Sequence, residues 1–301
     1  VGVEGLSIAE RAYQAALQHA QQRRQGRAIG APATESSFIV EHPDVRRMLL
    51  TMKAYIEAMR CLLYTNAVSV DLARHHDDPS VREARQQLLD LLTPVGKAWC
   101  TDLGVEVTSL AVQVHGGMGY VEETGVAQHF RDSRIAPIYE GTNGIQAIDL
   151  VARKVPMRGG GVVKDLLAQM EALDGELASC GEALAEMRVQ LGNGVTALRE
   201  ATDWLMAQGL AAPNDALAGA TPYLRMFGLV TGGWLLARSA VAASRLSASP
   251  SGPQRGFLEE KIATARFYCG ELLPQAGGLL PAVTAGAGPL FDIDLSRATL
   301  G

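Results

Sequence analysis

Between residues 43 and 74 the apolar side chains fall at Met48, Met52, Tyr55, Ile56, Met59, Leu62, Leu63 and Val70, mostly three or four positions apart with polar residues between them. That period lines one face of an α-helix, whereas a half-buried strand alternates every second residue. A chain that keeps it over thirty residues is built to pack helix on helix. The same spacing recurs over 6–24, 162–178, 182–208, 222–245 and 255–273. Residues suited to strands are scarce. Aromatics make up 5% of a chain that is 48% hydrophobic, and Ala and Leu fill the difference. The expected fold is all-α.

Punctuation divides the pattern. Pro43 and Asp44 suit the first turn of a helix. The HHDDPS stretch at 75–80 is a break, with Ser80 a candidate cap, and Thr93-Pro94 reads as a further helix start. Gly116, Gly117 and Gly119 stop the preceding helix, and Thr124-Gly125 opens another. Pro156 followed by RGGG at 158–161 is the best linker. A length of 301 residues exceeds the usual span of one core. Two helical bundles are therefore expected, over 1–156 and 157–301. SASPSGPQRG at 247–256 reads as a loop, and the stretch from 274 onward as loop-like with a short apolar anchor.

Charge and cysteine usage narrow the function classes. A net charge of -5 without a basic tract gives no reason to expect nucleic acid. The four cysteines lie far apart and read as reduced core thiols in a cytoplasmic protein. No metal-ligand spacing appears among the six histidines. No uninterrupted apolar run reaches membrane-spanning length, since 229–243 carries Arg238 and two glycines, so a membrane partner is not expected. The chain opens inside a helical pattern without Met and reads as a piece of something longer.

Three short stretches could carry chemistry. RIAPIYEGTNGIQ at 134–146 sets one acid, Glu140, among Ile135, Pro137, Ile138 and Tyr139. Burial among such side chains strengthens a carboxylate as a base. Gly141 permits a sharp turn and close approach of a substrate, and Thr142 or Asn143 can cap the helix that begins near Gly144. Base, open backbone and helix terminus together suit proton abstraction. A solvent-facing Glu on a capping loop is the plainer reading of the same residues. In QVHGGMGY at 113–120, Gln113 can reach a nucleotide edge while Gly116 and Gly117 admit a phosphate. A simple helix stop explains the glycines equally well. RRQGR at 23–27 can hold a phosphate or merely end a helix.

Taken in order, Q-x-x-G-G, R-D-x-R and I-Y-E-G-T within 111–155 resemble the C-terminal signature of the acyl-CoA dehydrogenase family. The resemblance extends upstream through 9–27 and 41–64. The second half resembles, more loosely, the extra C-terminal domain of a longer subgroup, the 3-methylmercaptopropionyl-CoA dehydrogenase-like enzymes. The resemblance implies an acyl-CoA dehydrogenase-type four-helix bundle followed by a second helical bundle. It implies α,β-dehydrogenation of an acyl-CoA thioester, with Glu140 taking the α-proton while the β-hydride leaves to FAD. The backbone N–H of Glu140 and a flavin hydroxyl would polarise the thioester carbonyl. Gln113, Gly116, Gly117 and Arg23 would touch the FAD of a neighbouring subunit, and Thr142 would contact FAD. Electron-transfer flavoprotein is the implied acceptor, and a homodimer or homotetramer the implied assembly. The register of Arg23 against Arg24 is open by one position, and Gly144 stands where many members carry an amide side chain. The family's two preceding domains are missing, so this piece alone is expected to bind FAD weakly or not at all, and to be inactive. The competing reading is a helical oligomerisation scaffold, for which an intact Y-E-G-T turn has no use.

Overall fold

The computed structural model describes residues 1–32, 34–247 and 253–297. Among them there is no strand; a single isolated bridge pairs Arg24 with Phe38. The first half is built on α1 (Gly2–Gln22), α2 (Pro43–His75) and α3 (Pro79–His115). Gly2, Gly5, Ala9, Ala12, Ala16 and Ala20 form the buried stripe of α1. Small residues at this spacing let α1 lie close on α3. A Cβ built at Gly5 would stand 2.7 Å from the carbonyl oxygen of Cys100. Short helices α4 (Gly117–Tyr120), α5 (Val126–Ser133) and α6 (Asn143–Asp149) follow. α6 continues into a π-helical turn, Leu150–Lys154, closed by the Val155 amide on the Leu150 carbonyl.

The second half holds α7 (Gly161–Ser179), α8 (Ala185–Ala211), α9 (Pro213–Ala218), α10 (Ala220–Leu246), α11 (Pro253–Phe267), α12 (Gln275–Thr284) and α13 (Gly288–Phe291). By length and composition α10 could cross a membrane, yet 83% of its most apolar window is buried in the protein. It is the central helix, packed on α2, α3, α6, α8, α11 and α12. Buried side chains from both sides of residue 157 form one cluster. Ion pairs cross the same seam. Arg225 on α10 meets Glu106 on α3, and the nearly buried Glu57 on α2 accepts from both Lys53 and Lys261, the latter on α11.

Several boundaries differ from expectation. Thr93-Pro94 starts no helix, because α3 runs through it. Pro94 costs the ladder one hydrogen bond, but Leu91, Leu92, Pro94 and Val95 are all buried, and their packing holds the helix together. Asp78 rather than Ser80 caps α3, its Oδ1 accepting from the Ser80 amide at 2.8 Å, with Pro79 in the first turn. The stretch after Leu273 is helical in α12, which packs on α8 and α10, and again in the short, unburied α13. Of the expected loop at 247–256, residues 248–252 lie outside the described residues, and Pro253 already begins α11. At the linker, Arg158, Gly159 and Gly160 carry φ of 51°, 63° and 83°, a left-handed run that separates the π-helical turn from α7.

Candidate functional site

Glu140 sits at the tip of a turn closed by the Asn143 amide, which donates to the Pro137 carbonyl at 3.0 Å. Its φ is 54° and that of Gly141 is 80°. A left-handed glutamate costs about 1–2 kcal/mol and persists only where its surroundings fix it. Thr142 supplies one restraint as the N-cap of α6, its Oγ1 accepting from the Ile145 amide at 3.3 Å. Asn143 supplies a stronger one by reaching down to α3. Its Oδ1 accepts from Lys97 Nζ at 2.7 Å, and its Nδ2 donates to the Ala98 carbonyl at 3.1 Å and to Asp102 Oδ1 at 2.7 Å. Tyr139 Oη donates to the Glu4 carboxylate, which ties the turn to the start of α1. This bond is the main reason the Tyr139 hydroxyl titrates above its ordinary range.

The carboxylate itself is exposed, and it forms no hydrogen bond or ion pair among the described residues. Here the expected burial among apolar neighbours fails, and within this chain Glu140 faces solvent, as the plainer reading of the same residues has it. Ile135, Ile138 and Tyr139 are 51%, 52% and 37% exposed, so they do not fold over Glu140 and its surroundings within this chain are wet. The amides of Glu140 and Gly141 donate to no partner among the described residues. Beneath the turn, Lys97 lies within electrostatic reach of Asp102 and Glu140, and desolvation holds its ammonium pKa below the usual value against their pull. Asp102 moves up, chiefly because it is largely buried, with the Asn143 hydrogen bond opposing the shift.

A second cluster forms where α1 and α3 end together. Arg23 is the C-cap of α1, exposed and without a side-chain partner among the described residues. Arg24 is committed elsewhere, donating to the Ser36 carbonyl at 2.6 Å and lying 3.9 Å above the Phe38 ring. Gln113 is exposed with its amide unpartnered among the described residues. Gly116 has φ 62°, and a Cβ at Gly116 or Gly117 would meet nothing within 4 Å. His19 and His115 stack at 4.3 Å and join the two helix ends. His19 titrates low through desolvation, helped by His115 and Arg23.

The two clusters stand at opposite ends of α1. Glu4, which holds the Glu140 turn, and Arg23 are separated by roughly 28 Å at about 1.5 Å per residue. The structure thus groups Glu140 with Thr142, and Arg23 with Gln113, Gly116 and Gly117, but does not bring the groups together within one chain. A cleft of ≈ 650 Å³ lined by Tyr55, Glu106, Phe130 and Arg225, among others, contains none of these residues. Sequence reasoning missed Lys97, Asp102 and Glu4. Asn143 was weighed only as a cap, and its distance of 46 positions from Lys97 hides their pairing.

Residues 1–155 match the family described as acyl-CoA dehydrogenase, C-terminal domain, and residues 163–294 match acetyl-CoA dehydrogenase C-terminal like. A 3-methylmercaptopropionyl-CoA dehydrogenase of Ruegeria pomeroyi is 44% identical over 98% of the chain and 50% of its own length. A butyryl-CoA dehydrogenase of Syntrophomonas wolfei is 34% identical over 94% of the chain and 46% of its own length. The chain belongs to the acyl-CoA dehydrogenase family, and it spans about half the length of these curated relatives. In fold it is similar to Caenorhabditis elegans ACDH-11, solved in complex with C11-CoA, with a TM-score of 0.73 and 19% identity over 98% of this chain and 46% of that one. An acyl-CoA dehydrogenase from Bacillus anthracis complexed with FAD gives 0.65 and 20% over 94% and 46%.

Proposed function

We propose that this chain is the C-terminal part of an FAD-dependent acyl-CoA dehydrogenase in which Glu140 removes the α-proton of an acyl-CoA thioester. One observation carries the reading. Glu140 presents an unpaired carboxylate on a turn locked from below, beside two amide N–H groups with no other work. The carboxylate accepts the proton, and the free amides are suited to the oxygen of the polarised thioester carbonyl. FAD, if bound beside Thr142, would supply the acceptor for the β-hydrogen, which leaves as hydride. The Thr142 hydroxyl accepts from the Ile145 amide and donates to no partner among the described residues, so its hydrogen is available to hold that FAD. Arg23, Gln113, Gly116 and Gly117 offer a guanidinium, an amide and open backbone at the far end of α1. They fit the phosphate and base-edge chemistry of an FAD belonging to a second copy of the chain. The 28 Å separation supports that division and hence a homo-oligomer.

The exposed Ile135, Ile138 and Ile145 are then the surface that the rest of the longer enzyme covers, drying Glu140. Electron-transfer flavoprotein is the proposed acceptor. Purified alone, the 301-residue chain should show no stoichiometric flavin band, and such a band would contradict this division of labour. The direct test uses the full-length enzyme loaded with FAD and a panel of saturated acyl-CoAs that includes 3-methylmercaptopropionyl-CoA and butyryl-CoA. Wild type should bleach its flavin with at least one thioester. Glu140→Gln should keep FAD and bleach at least about 100-fold more slowly. Failure of both to bleach while both hold FAD sinks the reading.

A further inference from the structure

Asn143 does more than continue a helix. Its backbone amide closes the loop from Pro137, and its side chain spends every polar atom on α3. The orientation of the amide is fixed by its partners. Lys97 can only donate, so it faces Oδ1. The Ala98 carbonyl and the Asp102 carboxylate only accept, so they face Nδ2. Thr101 Oγ1, 2.9 Å from Nδ2, fills the gap between them. One residue therefore joins the two ends of the loop and bolts it to a 37-residue helix. Glu140 is three positions away, in a backbone conformation that glutamate does not choose for itself. Asp102 also lies within electrostatic reach of Arg225 on α10, so the bolt is seated where the two halves of the chain meet.

We infer that Asn143, clamped between Lys97 and Asp102, is the positioning residue that sets the left-handed turn and so the direction of the Glu140 carboxylate. This rests on Glu140 being the base. The role differs from capping, which Thr142 performs, and from core packing, since the bonds are polar and directional.

The experiment uses the full-length enzyme with FAD, with two readouts. One is hydrogen–deuterium exchange of the segment 137–146, which requires no activity. The other is the rate of flavin bleaching, measured beside acyl-CoA affinity. Asn143→Asp turns an acceptor toward the Ala98 carbonyl and Asp102. It should speed exchange in the segment and slow bleaching about 100-fold, the loss that a misplacement of about 1 Å brings, while acyl-CoA affinity changes less than about threefold. Lys97→Met removes one clamp arm and should give a smaller change in the same direction. The double variant Asn143→Asp with Asp102→Asn restores an amide–carboxylate pair and should recover both readouts at least tenfold. If Asn143→Asp does not retain FAD, the exchange of Lys97→Met decides. Unchanged exchange in the segment, or a double variant no better than the single, overturns the inference. If Glu140→Gln bleaches like wild type, the functional reading fails instead, and the exchange data still decide whether Asn143 sets the turn.

Discussion

Replacing Gly228 by Ala removes a poor helix former from the middle of α10 and on propensity alone should stabilise the protein by about 1 kcal/mol. The structure predicts the opposite. A Cβ at Gly228 would stand 2.3, 2.4 and 2.6 Å from three atoms of the Trp99 indole, more than 1 Å inside the ordinary carbon–carbon contact of about 3.5–4.0 Å. The ring has no room to retreat. Trp99 is 1% exposed, and its far edge already lies 2.8 Å from where a Cβ at Gly232 would stand. Overpacking of this kind costs about 3 kcal/mol at the upper end of its range. Less the propensity gain, the net loss is about 2 kcal/mol, a fall in melting temperature of about 4 °C for a chain of this size. Gly175→Ala is the control, since that glycine is exposed inside α7 and its Cβ would meet nothing within 4 Å. It should raise the melting temperature by about 2 °C. Thermal unfolding followed by circular dichroism at the helix band reads both. A Gly228→Ala variant as stable as Gly175→Ala would refute the claim that α10 is seated on Trp99.

Other outcomes follow from the same packing. Glu57→Gln leaves Lys53 and Lys261 without their shared, 7%-exposed carboxylate and should cost about 3 kcal/mol by urea titration. Lys53 is desolvated, but its hydrogen bonds to Glu57 and Glu260 win and raise its pKa from 10.5 to about 12. A raised folded pKa means that its contribution is complete below pH 10.5 and is lost as pH climbs through about 12, so alkaline titration should show stability falling in that window. Cys100 and Cys269 are buried free thiols whose pKa burial pushes well up. They should resist a thiol-reactive chromophore until the protein unfolds, while the partly exposed Cys180 reacts first.

The helices were legible wherever a single face carries the period, as in α1. Pro94 misled because a proline reports local backbone chemistry, while the buried side chains on either side of it report tertiary packing, and packing decided. The segment after Leu273 misled for the converse reason. Its glycines and prolines are poor helix formers, and α12 packs on the surfaces of α8 and α10, distant in sequence. At the site, the Y-E-G-T turn was readable because Gly141 permits a sharp bend, while the left-handed φ of Glu140 itself was not. Its anchor was not. Lys97 and Asp102 lie on a helix 41–46 positions upstream of Asn143, and an amide that caps and an amide that clamps look alike in one dimension. The dryness expected around Glu140 was read from neighbours in sequence, but Ile135 and Ile138 point outward in the fold.

The account turns on which group takes the α-proton. The most direct measurement gives FAD-loaded full-length enzyme an acyl-CoA deuterated at the α-carbon and follows loss of deuterium to water. Wild type should release it, and Glu140→Gln, with FAD still bound, should retain it. Release from Glu140→Gln at the wild-type rate would contradict the assignment of Glu140 as the base.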